Sequence, residues 1–196
     1  MTKIYKYVVQ VKGATPLLQN RLSKDLIDEI KKVPRDKREE WQDQNFMKKL
    51  YLDADGKTVI FPTTNIHSFL VSCARKNKIP PPKSIGKTWT DYIKSAVYVD
   101  ENCIIKHNGI APFESMVNGN PSSMKKSSKV YCVRPKMDNW SATFSFTDFG
   151  GYLDDKAVES LMNTGKLFIG LGDYRPVYGR FSIEKITSKL VGENDE

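Results

Sequence analysis

The order in which the apolar period changes along the chain constrains its fold more than any other feature of the sequence. Residues 4–11 (IYKYVVQV) alternate in the two-residue rhythm of a strand, and Gly13 ends the run. The rhythm becomes helical at TTNIHSFLVSCARK. There Thr63 or Thr64 can cap the helix, Ile66, Phe69, Leu70 and Cys73 share one face, and the IPPP run of 79–82 stops it. KVYCVRP and WSATFSF read as strands near 129–135 and 140–146. The tight KMDN connection between them predicts a hairpin. Asp154 opens a second helix over 154–164, with Ala157, Val158, Leu161 and Met162 inward and Gly165 at its end. A last strand spans 179–187. That order is βαββαβ, and it predicts an α+β fold of the ferredoxin-like or RRM-like kind.

The rest of the chain reads as decoration on this core. Leu22, Leu26, Ile27, Ile30 and Val33 recur at helical spacing, Pro34 interrupts them, and Trp41, Phe46, Met47 and Leu50 resume the pattern. A helical insertion over about 22–50 is expected. DADGK at 53–57 is a turn, TVIFP a short strand, and DYIKSAVYV a short helix running into a strand. HNGIAPFESMVNGNPSSMKKSSK has the Gly, Asn, Ser and Pro density of a long loop, so a second insertion is set at about 79–128. The expectation is one domain over 1–190 with a polar, disordered tail at 191–196.

A chain of 196 residues is long enough to bury a hydrophobic interior. The N-terminal segment alternates like a strand, and no run approaches the roughly 18 apolar residues of a membrane span. A cytoplasmic protein without membrane association is therefore expected. Cys73, Cys103 and Cys132 are widely spaced and odd in number, which argues against a disulfide framework or a clustered metal site. No cofactor is expected.

The net charge of +8 is local. Residues 75–136 hold twelve Lys and Arg against four acids, so this stretch carries the whole excess. A concentrated positive surface suits a polyphosphate partner. The sharpest motif is IGLGDYRPVYGRF, residues 169–181. Gly170, Gly172 and Gly179 can take positive φ and let the backbone approach a ligand, Arg175 and Arg180 can pair with phosphate oxygens, and Tyr174 and Tyr178 offer rings for base stacking. In the 129–140 segment, Lys129, Arg134 and Lys136 lie around Tyr131 and Trp140, a basic and aromatic mixture that suits a single-strand platform. Lys125 and Lys126 add charge just before it. SIGKT at 84–88 ends like a phosphate-binding P-loop, but Pro81 stands where that motif requires glycine. The two histidines, His67 and His107, are forty residues apart. His67, beside a helix start, is the single weak catalytic candidate.

A glycine-rich loop between the second helix and the last strand, ending in GRF, resembles the hallmark of the RAMP superfamily, which includes guide-RNA-binding backbone subunits of CRISPR surveillance complexes. VIFPTTNIHSFLVSCARK is similar to that family's pattern of strand, proline, small hydroxyl residues and helix. The two blocks cover about a third of the chain, and its TPLL-type first strand also resembles phage-encoded proteins. The resemblance implies a protein that grips single-stranded RNA, or DNA, by its sugar-phosphate backbone and assembles along it with copies of itself or with other ribonucleoprotein subunits. It carries binding roles over to Pro62, Thr63, Thr64, Arg75, Gly170, Gly172, Arg175, Gly179 and Arg180. Some family members cleave RNA with an acid in a loop after the first strand. Here that region is the charged insertion, and Asp25, Asp28 and Asp36 do not align with it. Two alternatives stand beside the noncatalytic binder: a metal-independent endoribonuclease using His67, and an interaction protein that mimics a CRISPR subunit.

Overall fold

The computed structural model describes residues 2–78, 80–82, 88–118 and 129–194. Among them the chain forms a mixed α/β fold with two antiparallel sheets and five α-helices. The spine of the larger sheet is β1 (Thr2–Gly13), with β8 (Trp140–Asp148) on one side and β9 (Phe181–Asn194) on the other. Along the far edge of β8 lie β4 (Val97–Val99) and β5 (Cys103–His107), end to end. They fill one strand position broken at residues 100–102. β3 (Ile60–Phe61) closes that side, and the order is β3-β5-β8-β1-β9.

Side-chain alternation decides which face of this sheet is covered. Tyr7 and Val9 on β1 stand opposite Phe146 and Phe144 on β8, and all four are buried. Over them lie α3 (Thr63–Lys76) and α5 (Asp155–Thr164). α3 inserts Ile66, Phe69, Leu70 and Cys73; its Phe69 ring meets Phe144 and Phe181 edge-on, with centroids 6.2 and 5.9 Å apart. α5 starts where the Asp154 carboxylate accepts from the Ala157 amide at 2.7 Å, and it inserts Val158, Leu161 and Met162. Each such side chain contributes about 1.5–3 kcal/mol by leaving water. The opposite face carries Lys6, Ser145 and Thr147, with both hydroxyls donating to Asp100. Tyr98, beside Thr147, is an exposed ring on it.

The smaller sheet has the order β2-β7-β6, from β2 (Leu17–Leu18), β7 (Lys129–Met137) and β6 (Ala111–Asn118). This corrects the expected 129–146 hairpin. Both strands exist, but β7 pairs with β2 and β6, whereas β8 pairs with β1, β5 and β4. The short connection moves the chain from one sheet to the other. Pattern and proximity predicted pairing, but β8 buries Ala142, Phe144 and Phe146 beneath the helices, while β7 buries Val133 outside that cluster and reaches it only at its last residue, Met137. Residues 111–118, expected to be loop, are strand β6, and α4 (Trp89–Ala96) precedes β4. The turn-rich composition concealed a strand that pairs antiparallel with the next strand in the chain, β7.

Two helices, α1 (Lys24–Lys32) and α2 (Arg38–Asn45), occupy the 22–50 segment. Of its first helical stripe only Leu26 is buried; Leu22 and Ile27 are exposed. The segment is held instead by Lys49, which is buried and donates to Val133 O at 2.6 Å and Gln42 Oε1 at 2.8 Å. Burial pulls the Lys49 ammonium below the usual lysine range. At the other end, β9 continues to Asn194 by pairing with Thr2, Lys3 and Ile4, so the expected disordered tail is strand through residue 194.

Candidate nucleic-acid interface

After α5 the chain makes a π-helical turn over Gly165–Ile169 and then a compact loop, residues 170–180. Gly170, Gly172 and Gly179 have φ of +72°, +78° and +71°, a region costly for side chains bearing Cβ. Close packing adds a second requirement. A Cβ on Gly172 would strike the Leu18 carbonyl oxygen, and one on Gly179 the Leu171 carbonyl oxygen. The Asp173 amide donates to Leu18 O and the Gly179 amide to Pro16 O, both at 2.8 Å, while the Leu171 amide donates to Gly179 O at 2.9 Å. These glycines fit the loop to its own chain and to β2. The amides of Gly172, Tyr174 and Arg175 donate to no protein group among the described residues.

Several side chains expected at the surface are engaged inside. Arg134 is buried; its Nε donates to Asp173 at 2.5 Å, its Nη1 to Ser115 Oγ at 3.0 Å, and its guanidinium lies 4.4 Å from the Tyr174 ring centre. Tyr178 meets Phe113 at 5.1 Å, and Tyr174 meets Phe113 at 6.3 Å. These rings and Arg134 fasten the glycine loop to the smaller sheet. Trp140 is buried against Gly13 and donates Nε1–H to Thr15 O at 2.8 Å. It is a core residue, not a stacking platform. Lys136 pairs with Asp138 at 3.1 Å, Lys129 is exposed at the start of β7, and Tyr131 donates to Asp43. Lys125 and Lys126 lie outside the described residues.

The loop does face α3, where Pro62 precedes Thr63 and Thr64 at the helix start. Between them is a cavity of about 220 Å³ whose polar lining includes Asn20, Tyr51, Asn65, Ser68, Asp173 and Arg175. Past Arg175 it continues as a shallow groove between Ser72, Arg75 and Lys76 on α3 and Phe168 and Pro176 opposite. Asn65, Ser68, Ser72 and Arg75 form a polar stripe at helical spacing along one side. Arg75, Lys76 and Arg175 are exposed. Arg180 is also exposed, and its Nε donates to Pro176 O at 2.8 Å.

Thus the structure brings Arg75 and Arg175 into one groove, with Asn65 and Gly172 along the adjoining cavity, whereas Thr63 and Thr64 at the start of α3 do not line that cavity. It removes Arg134 and Trp140 from the exposed set. Sequence patterning missed Asn20, Tyr51, Asn65, Ser68 and Ser72. Asn20 and Tyr51 come from segments thirty-one residues apart, and nothing in either predicts the meeting. His67 lines a different shallow pocket with Thr63, Thr64 and Tyr98. Burial raises the Cys73 thiol strongly, against an opposing pull from Arg175, and pushes Cys103 up to about 12. Among the described residues no cluster of three His, Cys, Asp or Glu side chains is arranged to hold a metal ion. No described helix is long and apolar enough to cross a membrane.

No family model matches the sequence, and no curated protein matches it. Its fold is similar to a chain in the cryo-EM structure of the Type III-B Cmr-beta bound to cognate target RNA, with a TM-score of 0.54 at 13% identity. The likeness covers 96% of this chain and 61% of that one, so this protein spans under two thirds of its structural relative.

Proposed function

We propose that this protein is a noncatalytic single-stranded nucleic-acid binder of the RAMP kind, favouring RNA over DNA and working as a subunit of a ribonucleoprotein. The observation that carries this reading is the groove between α3 and the glycine loop, where Arg75, Lys76 and Arg175 are exposed along both walls. Guanidinium groups pair with phosphate oxygens, and the unengaged amides of Gly172, Tyr174 and Arg175 add donors without sequence preference. The net charge of +8 supports attraction of a polyanion from a distance. The βαββαβ reading has support from the strand order β9-β1-β8-β5, with α3 and α5 on one face; here β5, not β7, takes the second core strand's place. The likeness to a chain of the Type III-B Cmr-beta supports a role in a comparable assembly.

The test is binding of labelled single-stranded RNA across a salt series. Log affinity should fall linearly with log salt, with a slope of about 0.7 per neutralised phosphate. Arg75→Ala and Arg175→Ala should each weaken binding and reduce that slope by about 0.7. A flat salt response removes the proposal.

The ribonuclease reading rests on His67, which shares a pocket with the hydroxyls of Thr63 and Thr64. It predicts RNA cleavage by the wild-type protein and none by His67→Ala. Retention by a surveillance-complex subunit after nuclease treatment would favour a protein mimic instead.

A further inference from the structure

Beside the cations of the phosphate groove stands a ring that phosphate binding leaves unexplained. Phe168 lines the groove with Arg75, Lys76 and Arg175, and it is 59% exposed. Among the described residues it has no aromatic partner. A second shallow hollow lies between the end of α3 and α5; it shares Phe168 and Lys76 with the groove and adds Lys78 and Lys156. The ring therefore sits where two basic hollows meet. All five cations are exposed, and none pairs with a carboxylate among the described residues. Glu159 is the one acid in either lining. The backbone beneath the ring is fixed. Phe168 belongs to the π-helical turn Gly165–Ile169, which the Gly170 amide closes by donating to Gly165 O at 2.8 Å. Gly165 is pressed onto α3, where a Cβ would strike the Phe69 ring and Cys73 Sγ.

We infer that Phe168 is a stacking platform: the bound strand crosses it with one base on its ring, and the backbone continues into the hollow of Lys78 and Lys156. The inference rests on the single-strand reading above and carries the path of the strand past the groove. Every nucleobase has a π face, so an exposed ring between cations holds a strand without selecting its sequence. A turn clamped to a core helix presents that ring with little ordering left to be done on binding. A protein partner could also cover Phe168 and its exposed neighbour Leu167. Lysine, however, is depleted in protein interfaces, whereas three lysines and two arginines flank this ring.

The experiment compares, by fluorescence anisotropy, a short labelled RNA of mixed sequence with an abasic ribose-phosphate strand of the same length and charge. Wild type should bind the RNA on the order of tenfold more tightly than the abasic strand. Phe168→Ala and Phe168→Leu, at an exposed position tolerable to the fold, should lose most of that preference and leave abasic affinity and the salt slope unchanged. Phe168→Trp should keep it. Lys156→Ala should keep the preference and reduce the salt slope by about 0.7 for both strands. Equal wild-type affinity for the two strands, with both bound, overturns the stacking site and leaves the phosphate groove standing. A preference that survives Phe168→Ala also overturns it and leaves the ring to a protein contact. Full retention by Phe168→Leu replaces stacking with plain apolar contact and overturns it as well. An unchanged slope in Lys156→Ala overturns the continued path. Binding of neither strand overturns both readings together.

Discussion

Gly172 and Gly179 hold positive φ where a neighbouring carbonyl oxygen already occupies the position a Cβ would take. Gly179→Ala should therefore destabilise the protein by at least about 1–3 kcal/mol from backbone strain alone, measured by urea unfolding. Gly109, with positive φ but open space around it, should tolerate alanine better. Tyr92 offers a second residue-scale test. Its hydroxyl donates to buried Asp148 and accepts from the Tyr152 amide, and burial followed by that carboxylate raises its pKa far above 10. Tyr7, buried with its hydroxyl on Leu153 O, is raised as well. Above a pH of about 10 the unfolded chain loses these protons and the folded chain keeps them. Stability should consequently fall as pH rises through that range. Tyr92→Phe should destabilise by about 1–3 kcal/mol at neutral pH, because Asp148 loses a buried donor. In alkaline denaturation the same variant should show a shallower decline, with Tyr7 still contributing.

At the scale of elements, the glycine loop is positioned by three neighbours: β2 through backbone bonds, α3 across the cavity, and the smaller sheet through Arg134. Arg134→Leu would leave Asp173 without its cation. Asp173 retains access to water, its side chain being 34% exposed, so the loss should be about 1–3 kcal/mol rather than the larger penalty of a fully buried orphan charge. Amide exchange should localise the effect. The Asp173 and Gly179 amides should exchange faster in this variant, while β1 amides should change only with global stability. RNA affinity should fall too, although Arg134 itself is too buried to reach a phosphate. That outcome separates a positioning role from the direct contact expected of Arg175.

Across the whole molecule, the two sheets share one hydrophobic core: Leu17 and Met137 from the smaller sheet belong to the same buried cluster as Tyr7, Val9 and Phe144. Unfolding followed by circular dichroism and by tryptophan fluorescence should therefore give coincident transitions. Trp140 lies where the chain changes sheets, and its bond to Thr15 O links β8 to the segment entering β2. Trp140→Phe should shift both transitions together and should leave the salt dependence of RNA binding unaltered. Local periodicity was enough to locate β1, α3, α5 and much of β9, because each buries a single face and its pattern lies within one segment. It also identified 169–181 as a special loop, since positive φ at several nearby positions selects glycine. Pairing was decided in three dimensions. β7 and β8 look like partners in sequence, yet each found its partners in remote segments or other neighbours, β7 in β2 and β6 and β8 in β1, β4 and β5. The same reason moved Arg134 and Trp140 inward, because a basic or aromatic residue has no local mark of whether a carboxylate or a carbonyl will meet it. The cavity of Asn20, Tyr51 and Asn65 exists only through tertiary structure, which brings together three segments whose sequences say nothing about one another.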